Sequence, residues 1–149
     1  MSKKSFVVIG LIVVMLAGVL LGQSALEIRA ASSSAMSGWQ QMTAPGGAAP
    51  VWVSPTNQLT SADVARAEAR TLTNGGPAVG VVFTDAGAKK MAALSAAQMS
   101  KPIAILLDGR LVWAPVVRSA IEKEAVLTGG PGGLTPAEIQ RLLATFKGR

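Results

Sequence analysis

Two different patterns of apolar residues divide the chain. From Phe6 to Gly22 every residue is apolar or Gly, and no charge falls between Lys4 and Glu27. As a helix, the 22 residues between those charges would reach about 33 Å, enough for a bilayer core of about 30 Å. This run predicts a transmembrane signal anchor over residues 6–26, preceded by a cytoplasmic n-region (1–5) whose Lys3 and Lys4 would hold the N-terminus inside. A single-pass protein of a bacterial inner membrane, with its C-terminal part exported, would follow. The rival reading is a cleavable export signal cut after Ser24. Gly18 and Gly22 form a G-x-x-x-G pair through which two such helices would associate weakly.

Residues 27–50 show no period and are rich in Ser, Ala, Gly and Pro, so they read as a flexible linker that cannot offset its ordering entropy by burial. Trp39 and Met42 are the exceptions, placed to touch either a membrane interface or the domain surface. From Val51 to Arg149 the pattern becomes that of a folded domain. Val51–Val53 suits a short strand, and Thr60-Ser-Ala-Asp63 has capping-box spacing. The period of two over 66–72 puts Arg66, Glu68 and Arg70 on one side, as a half-buried strand would, with a helix from Ser61 as the alternative. Asn74-Gly-Gly76 then turns the chain into the apolar run Ala78–Phe83, predicting a hairpin.

Thr84 and Asp85 start a helix expected to reach about Gln98, with Met91 and Leu94 inward and Lys89 and Lys90 toward solvent. Ile103-Ala-Ile-Leu-Leu107 is apolar without alternation, the mark of a strand covered on both faces. Asp108-Gly109 predicts a two-residue type I′ turn into Arg110–Ala114, with Leu111 and Trp113 on one face and Pro115 ending the ladder. Residues 116–124 fit no period. Ala125–Thr128 suits an edge strand, and Thr135-Pro-Ala-Glu138 starts a helix that buries Ile139, Leu142, Leu143 and Phe146. The expected fold class is α+β: an N-terminal transmembrane helix, then a small, mainly antiparallel sheet covered by two main helices.

Composition restricts the chemistry. The chain has no His, Cys or Tyr, which excludes disulfides, thiolate nucleophiles, Cys/His zinc sites and histidine bases. No catalytic, cofactor-binding or metal-binding residue is expected, and no cofactor. Asp108-Gly109 has the residues a turn requires, not a catalytic pair; Ser95 and Ser119 have no lysine placed to activate them, and Glu122 and Glu124 read as solvated. The Gly129–Gly133 run is not followed by the Lys-Ser or Lys-Thr of a phosphate loop. Net charge is +6, but the basic residues are not interleaved with an aromatic platform, so no nucleic-acid partner is expected. Arg66, Arg70, Arg110 and Arg118 are solvated charges by default, or a bias toward acidic partners.

Several segments carry a resemblance. Leu59-Thr60 with Asp63-Val64, the helix start Phe83-Thr-Asp-Ala-Gly-Ala-Lys-Lys90, and above all Pro102-Ile-Ala-Ile-Leu-Leu-Asp-Gly-Arg-Leu-Val-Trp-Ala-Pro115 resemble the head subdomain of the first large periplasmic domain (P1) of the SecD/SecDF protein-export family. Thr128-Gly129 and Leu134–Glu138 resemble its closing segment, with Leu134 in an aromatic place and extra glycines in the loop. The likeness covers about 95 residues of this chain. It implies an extracytoplasmic, non-catalytic binding module that contacts exported polypeptide or Sec-type translocation machinery. A structural component of another envelope complex is the alternative. The proton-coupled motor of that family would need charged groups within membrane helices, and the run from Phe6 to Gly22 contains none.

Overall fold

The computed structural model describes residues 25–130 and 133–147. Its elements are β1 (Leu26–Ser32), β2 (Gln40–Met42), β3 (Val51–Val53), β4 (Leu59–Thr60), a 3-10 turn (Ser61–Asp63), β5 (Val64–Thr71), β6 (Pro77–Phe83), α1 (Asp85–Ala97), β7 (Ile103–Leu107), β8 (Arg110–Trp113), β9 (Glu124–Leu127) and α2 (Pro136–Thr145). The strands form two sheets. The first runs β2-β3-β1-β7-β8, with β4 pairing on β1 beyond the end of β3; the second runs β5-β6-β9. Every ladder is antiparallel.

The main core lies between the sheets. Leu26, Ile28, Ile103, Ile105 and Leu107 from the first sheet meet Val79, Val81 and Phe83 from the second, and Met91, Leu94, Leu142 and Phe146 of the helices close it. A second, smaller cluster covers the opposite face of the first sheet, where Ala31, Val51, Val53, Ala104, Leu106 and Leu111 pack with Ala44. β7 is therefore buried at every residue, as its unbroken apolar run requires. Odd positions enter one core and even positions the other.

Local chemistry accounts for the helices. Thr84 Oγ1 accepts from the Gly87 amide at 3.0 Å, and α2 carries a full capping box between Thr135 and Glu138 with Pro136 in its first turn. α1 ends where Gln98 donates to the Ala31 and Pro102 carbonyls, each at 2.8 Å. Gly87 lets α1 approach the 3-10 turn: a Cβ there would stand 2.3 Å from the Asp63 carbonyl oxygen. Asp63 completes the contact by accepting from the Thr60 amide and from Lys90 Nζ, both at 3.0 Å. Lys90 is thus an ion-pair partner rather than a purely solvated charge.

Several expectations are corrected. Among the described residues no helix is long and apolar enough to cross a membrane. Leu26, expected to close the span, instead begins a strand, and both it and Glu27 are buried in the first sheet. The single-pass, signal-anchor topology over 6–26 is therefore not supported, and among the described residues the fold is the α+β unit alone. Residues 1–24, including the Gly18 and Gly22 pair, lie outside the described residues. The expected linker over 27–50 carries β1, the central partner of β3, β4 and β7, and also β2. Folded structure therefore starts before Val51. Alanines explain why the pattern hid it: Ala30, Ala31 and Ala44 are buried, but such small side chains raise no hydrophobic period. Trp39 packs on the main core and Met42 on the second cluster.

The Asp108-Gly109 turn forms as its residues require, with φ of +52° and +81° and Leu107 opposite Arg110. Beyond it, Leu106 faces Leu111 but Ile105 faces Trp113. This bulge sends Leu111 into the second cluster and Trp113 toward the main core. The expectation that Leu111 and Trp113 share a face fails for that reason.

Candidate functional site

The stretch without a period, 116–124, builds the site. Ala114 and Pro115 follow β8, and Val116 and Val117 make single bridges to Pro102 and Met99 respectively. The Ser100 amide donates to the Val117 carbonyl at 2.8 Å, and the Val117 amide to the Lys101 carbonyl at 2.9 Å. Ser95, fully buried on α1, fastens the far end: its Oγ accepts from the Ile121 amide at 3.0 Å and donates to the Ala92 carbonyl at 3.1 Å. The chain then enters β9. Between these two fastenings Arg118, Ser119 and Ala120 are exposed.

This strap, together with β9, lines an apolar cavity of about 230 Å³ whose deeper walls are Ile28, Ile103 and Ile105 of the first sheet, Phe83 and Met91. Arg118 is the one charged side chain in its lining. A second hollow of about 320 Å³ lies toward the small-residue cover of the first sheet, lined by Ala44, Ala48, Pro50, Pro102 and Ala114 among others. Trp113 and Val116 line both, so they form the ridge between them. Val116 is 43% exposed and Met99, which bridges Val117, is 41% exposed. Large apolar side chains left in water beside an apolar cavity make this surface the candidate docking site.

The other residues of chemical interest are dispersed. Arg66, Glu68 and Arg70 lie on the outer face of the second sheet, where Arg70 pairs with Glu68 at 2.8 Å and crosses over Gly80. Arg110 opens β8. Only Arg118 of the four arginines lines the cavity. Asp108 accepts two hydrogen bonds at 2.9 Å from Arg141 of α2, and these, with the nearby positive charge, hold its carboxyl below the usual value while raising Arg141. Its place is a turn braced to a helix. Ser95 is a fastening, with its hydrogen bonds made to backbone, and Ser119 is exposed on the strap. Glu122 and Glu124 are exposed. Among the described residues no group of three or more His, Cys, Asp or Glu is placed to hold a metal.

Reading the sequence missed the cavity itself. Its available signal was the pairing of Val116, Val117 and Ile121 with no helical or strand period, just after Trp113-Ala-Pro115: apolar residues in an irregular segment need something to pack on.

Residues 37–146 match the family described as SecDF, P1 head subdomain. The chain is 44% identical over 72 residues to the protein translocase subunit SecDF of Thermus thermophilus, covering 48% of this chain and 10% of that protein. It is 39% identical over 77 residues to the protein translocase subunit SecD of Acidaminococcus fermentans, covering 52% of this chain and 17% of that one. The matches thus span less than a fifth of these curated relatives. Among solved structures, SecDF in a super-membrane-facing form superposes with a TM-score of 0.62 at 29% identity, over 87% of this chain and 20% of that one. A structure described as a membrane component SecDF that enhances protein export gives 0.61 at 29% identity, over 87% of this chain and 64% of that one.

Proposed function

The chain belongs to the SecDF P1 head subdomain family, and from that premise we propose that it is a non-catalytic, extracytoplasmic module that docks unfolded exported polypeptide in the cavity between Trp113, the strap and β9. The relatives are translocase subunits by name, and one related structure is described as enhancing protein export. An emerging polypeptide offers apolar side chains and unpaired backbone, and the cavity offers apolar walls with a single charge. The observation that carries the reading is the exposure of Val116, which lines that cavity, with the exposed Met99 bridged to its neighbour Val117. Apolar docking of this kind is tolerant of sequence, which suits a client defined by being unfolded.

The test is fluorescence anisotropy of a labelled, reduced and carboxymethylated polypeptide titrated with the full-length protein. Val116→Asp places a charge on the ridge at an exposed position, so the fold survives, as an unchanged melting temperature will verify. The affinity is expected to fall at least about tenfold, or 1.4 kcal/mol. Glu68→Lys, on the far face of the second sheet, is expected to leave it unchanged. Equal affinity in wild type and Val116→Asp contradicts the assignment of the site. Absence of binding by the wild type favours a structural role among fixed neighbours.

A further inference from the structure

The described residues contain five strands paired on one side only: β2, β4 and β8 in the first sheet, β5 and β9 in the second. An exposed edge is a template for another strand, and folded proteins blunt it by shortness, bulges, proline, charge or a covering element. Four of the five are blunted. β2 has three residues and β4 two. β8 carries a bulge and runs into Ala114-Pro115. β5 is bulged near Val64, presents Arg66, Glu68 and Arg70, and has α2 packed against it.

β9 has neither bulge nor proline, and its four residues carry one charge, the exposed Glu124 at the start. It pairs with β6 in unbroken register from Glu124–Val82 to Leu127–Val79 and leaves Val126 41% exposed. The register also fixes which backbone groups are open. The Phe83 amide donates to the Lys123 carbonyl at 2.8 Å, so Lys123 and, by alternation, Ala125 and Leu127 turn their N–H and C=O toward β6. The N–H and C=O of Glu124 and Val126 therefore point away from the sheet. Beside this edge lies the apolar cavity, whose lining includes Ala125, Val126 and Leu127.

We propose that β9 is the docking edge: an extended polypeptide segment adds to it as a fourth strand of the second sheet, bonding to the backbone of Glu124 and Val126. This rests on the polypeptide-docking reading above and specifies its geometry. The occupant is a strand with apolar side chains at every second residue, because the added strand's side chains alternate between the cavity, where Arg118 is the sole charge, and the outer face, where polar residues are tolerated. Backbone bonding supplies affinity without demanding one sequence.

The test uses an eight-residue peptide alternating Val and Thr, and a series of the same peptide N-methylated at one position at a time, each titrated by calorimetry into the full-length protein. Two or more N-methylations, at alternate positions, are expected to weaken binding about tenfold or more, and the intervening ones less than about twofold. On the protein side, Val126→Pro removes an N–H that β6 does not use, so the variant is expected to fold and to bind the parent peptide at least about tenfold more weakly. Binding that tolerates every N-methylation and Val126→Pro overturns strand addition and leaves the cavity reading standing. Failure of the parent peptide to bind overturns strand addition, while binding of the unfolded polypeptide in the anisotropy assay separately decides the broader reading. A concentration-dependent dimer in sedimentation equilibrium, abolished by Val126→Pro, also overturns it, since the edge would then serve a second copy of this chain.

Discussion

The two sheets of this molecule are built from similar strands but are finished differently. In the first, β7 is enclosed: Ile103, Ile105 and Leu107 enter the main core, while Ala104 and Leu106 are covered by the smaller cluster with Ala44. In the second, β6 is buried from Ala78 to Phe83, but the outer faces of its neighbours β5 and β9 stay in water. The sheet's outer face carries Arg66, Glu68 and Arg70, with the Arg70 side chain laid over Gly80, and Val126 in water. The first sheet is a completed scaffold, and the second keeps an unfinished side and an open edge. That difference is the ground for proposing recognition at β9 and the strap, with β1 and β7 carrying stability.

The contrast is most strongly tested by truncating one residue of each sheet. Leu106→Ala is expected to cost about 2–5 kcal/mol in urea unfolding, because a buried leucine leaves a cavity against both neighbours. Val126→Ala is expected to change stability by less than about 0.5 kcal/mol. Comparable losses would mean the second sheet's outer face is covered as well. Next come the two glycines. Gly87→Ala pushes a Cβ onto the Asp63 backbone and is expected to cost about 1–3 kcal/mol as overpacking. At Gly80 the clash is with the guanidine end of Arg70, which swings aside, so Gly80→Ala should melt close to wild type.

The smallest effect belongs to the Asp108–Arg141 brace, since both side chains are nearly half exposed. The folded carboxyl titrates below the usual aspartate value, so its stabilising contribution is present above that value and is lost as pH falls through the lowered one. Asp108→Asn should therefore lower stability slightly at neutral pH, with the difference from wild type vanishing as pH falls through the lowered value, so that the acid limb is flatter. High salt should act in the same direction by screening the pair.

How much of this was legible depended on side-chain size. The unbroken run of β7, the alternation of β5, the Asp108-Gly109 turn and the Thr84 and Thr135 caps are strong local signals, and each formed where it stood. β1 was lost because Leu26-Glu-Ile-Arg29 adjoins a long apolar run, and its charged members read as the boundary of that run. In the folded chain Glu27 is buried with Arg29 bonded to it at 2.9 Å, a pairing no one-dimensional pattern displays. The cover of the first sheet was lost because Ala44, Ala48 and Pro50 resemble linker residues until a strand lies beneath them. The cavity was lost because its strap is held by backbone bonds and by Ser95, whose partner is 26 residues away. Legible chemistry was mostly that of absence, and the family resemblance carried the functional direction. The family match begins at residue 37, yet β1 precedes it and lies inside the sheet, so the folding unit described here is larger than the matched segment.

The central claim, that recognition belongs to the strap and β9, is most directly tested by hydrogen exchange of the full-length protein with and without a saturating unfolded polypeptide. Slower exchange confined to residues 116–127, with the Val126 and Glu124 amides most affected and β7 unchanged, is the predicted result. Protection concentrated instead on β5 or β2, with residues 116–127 exchanging as before, would contradict it.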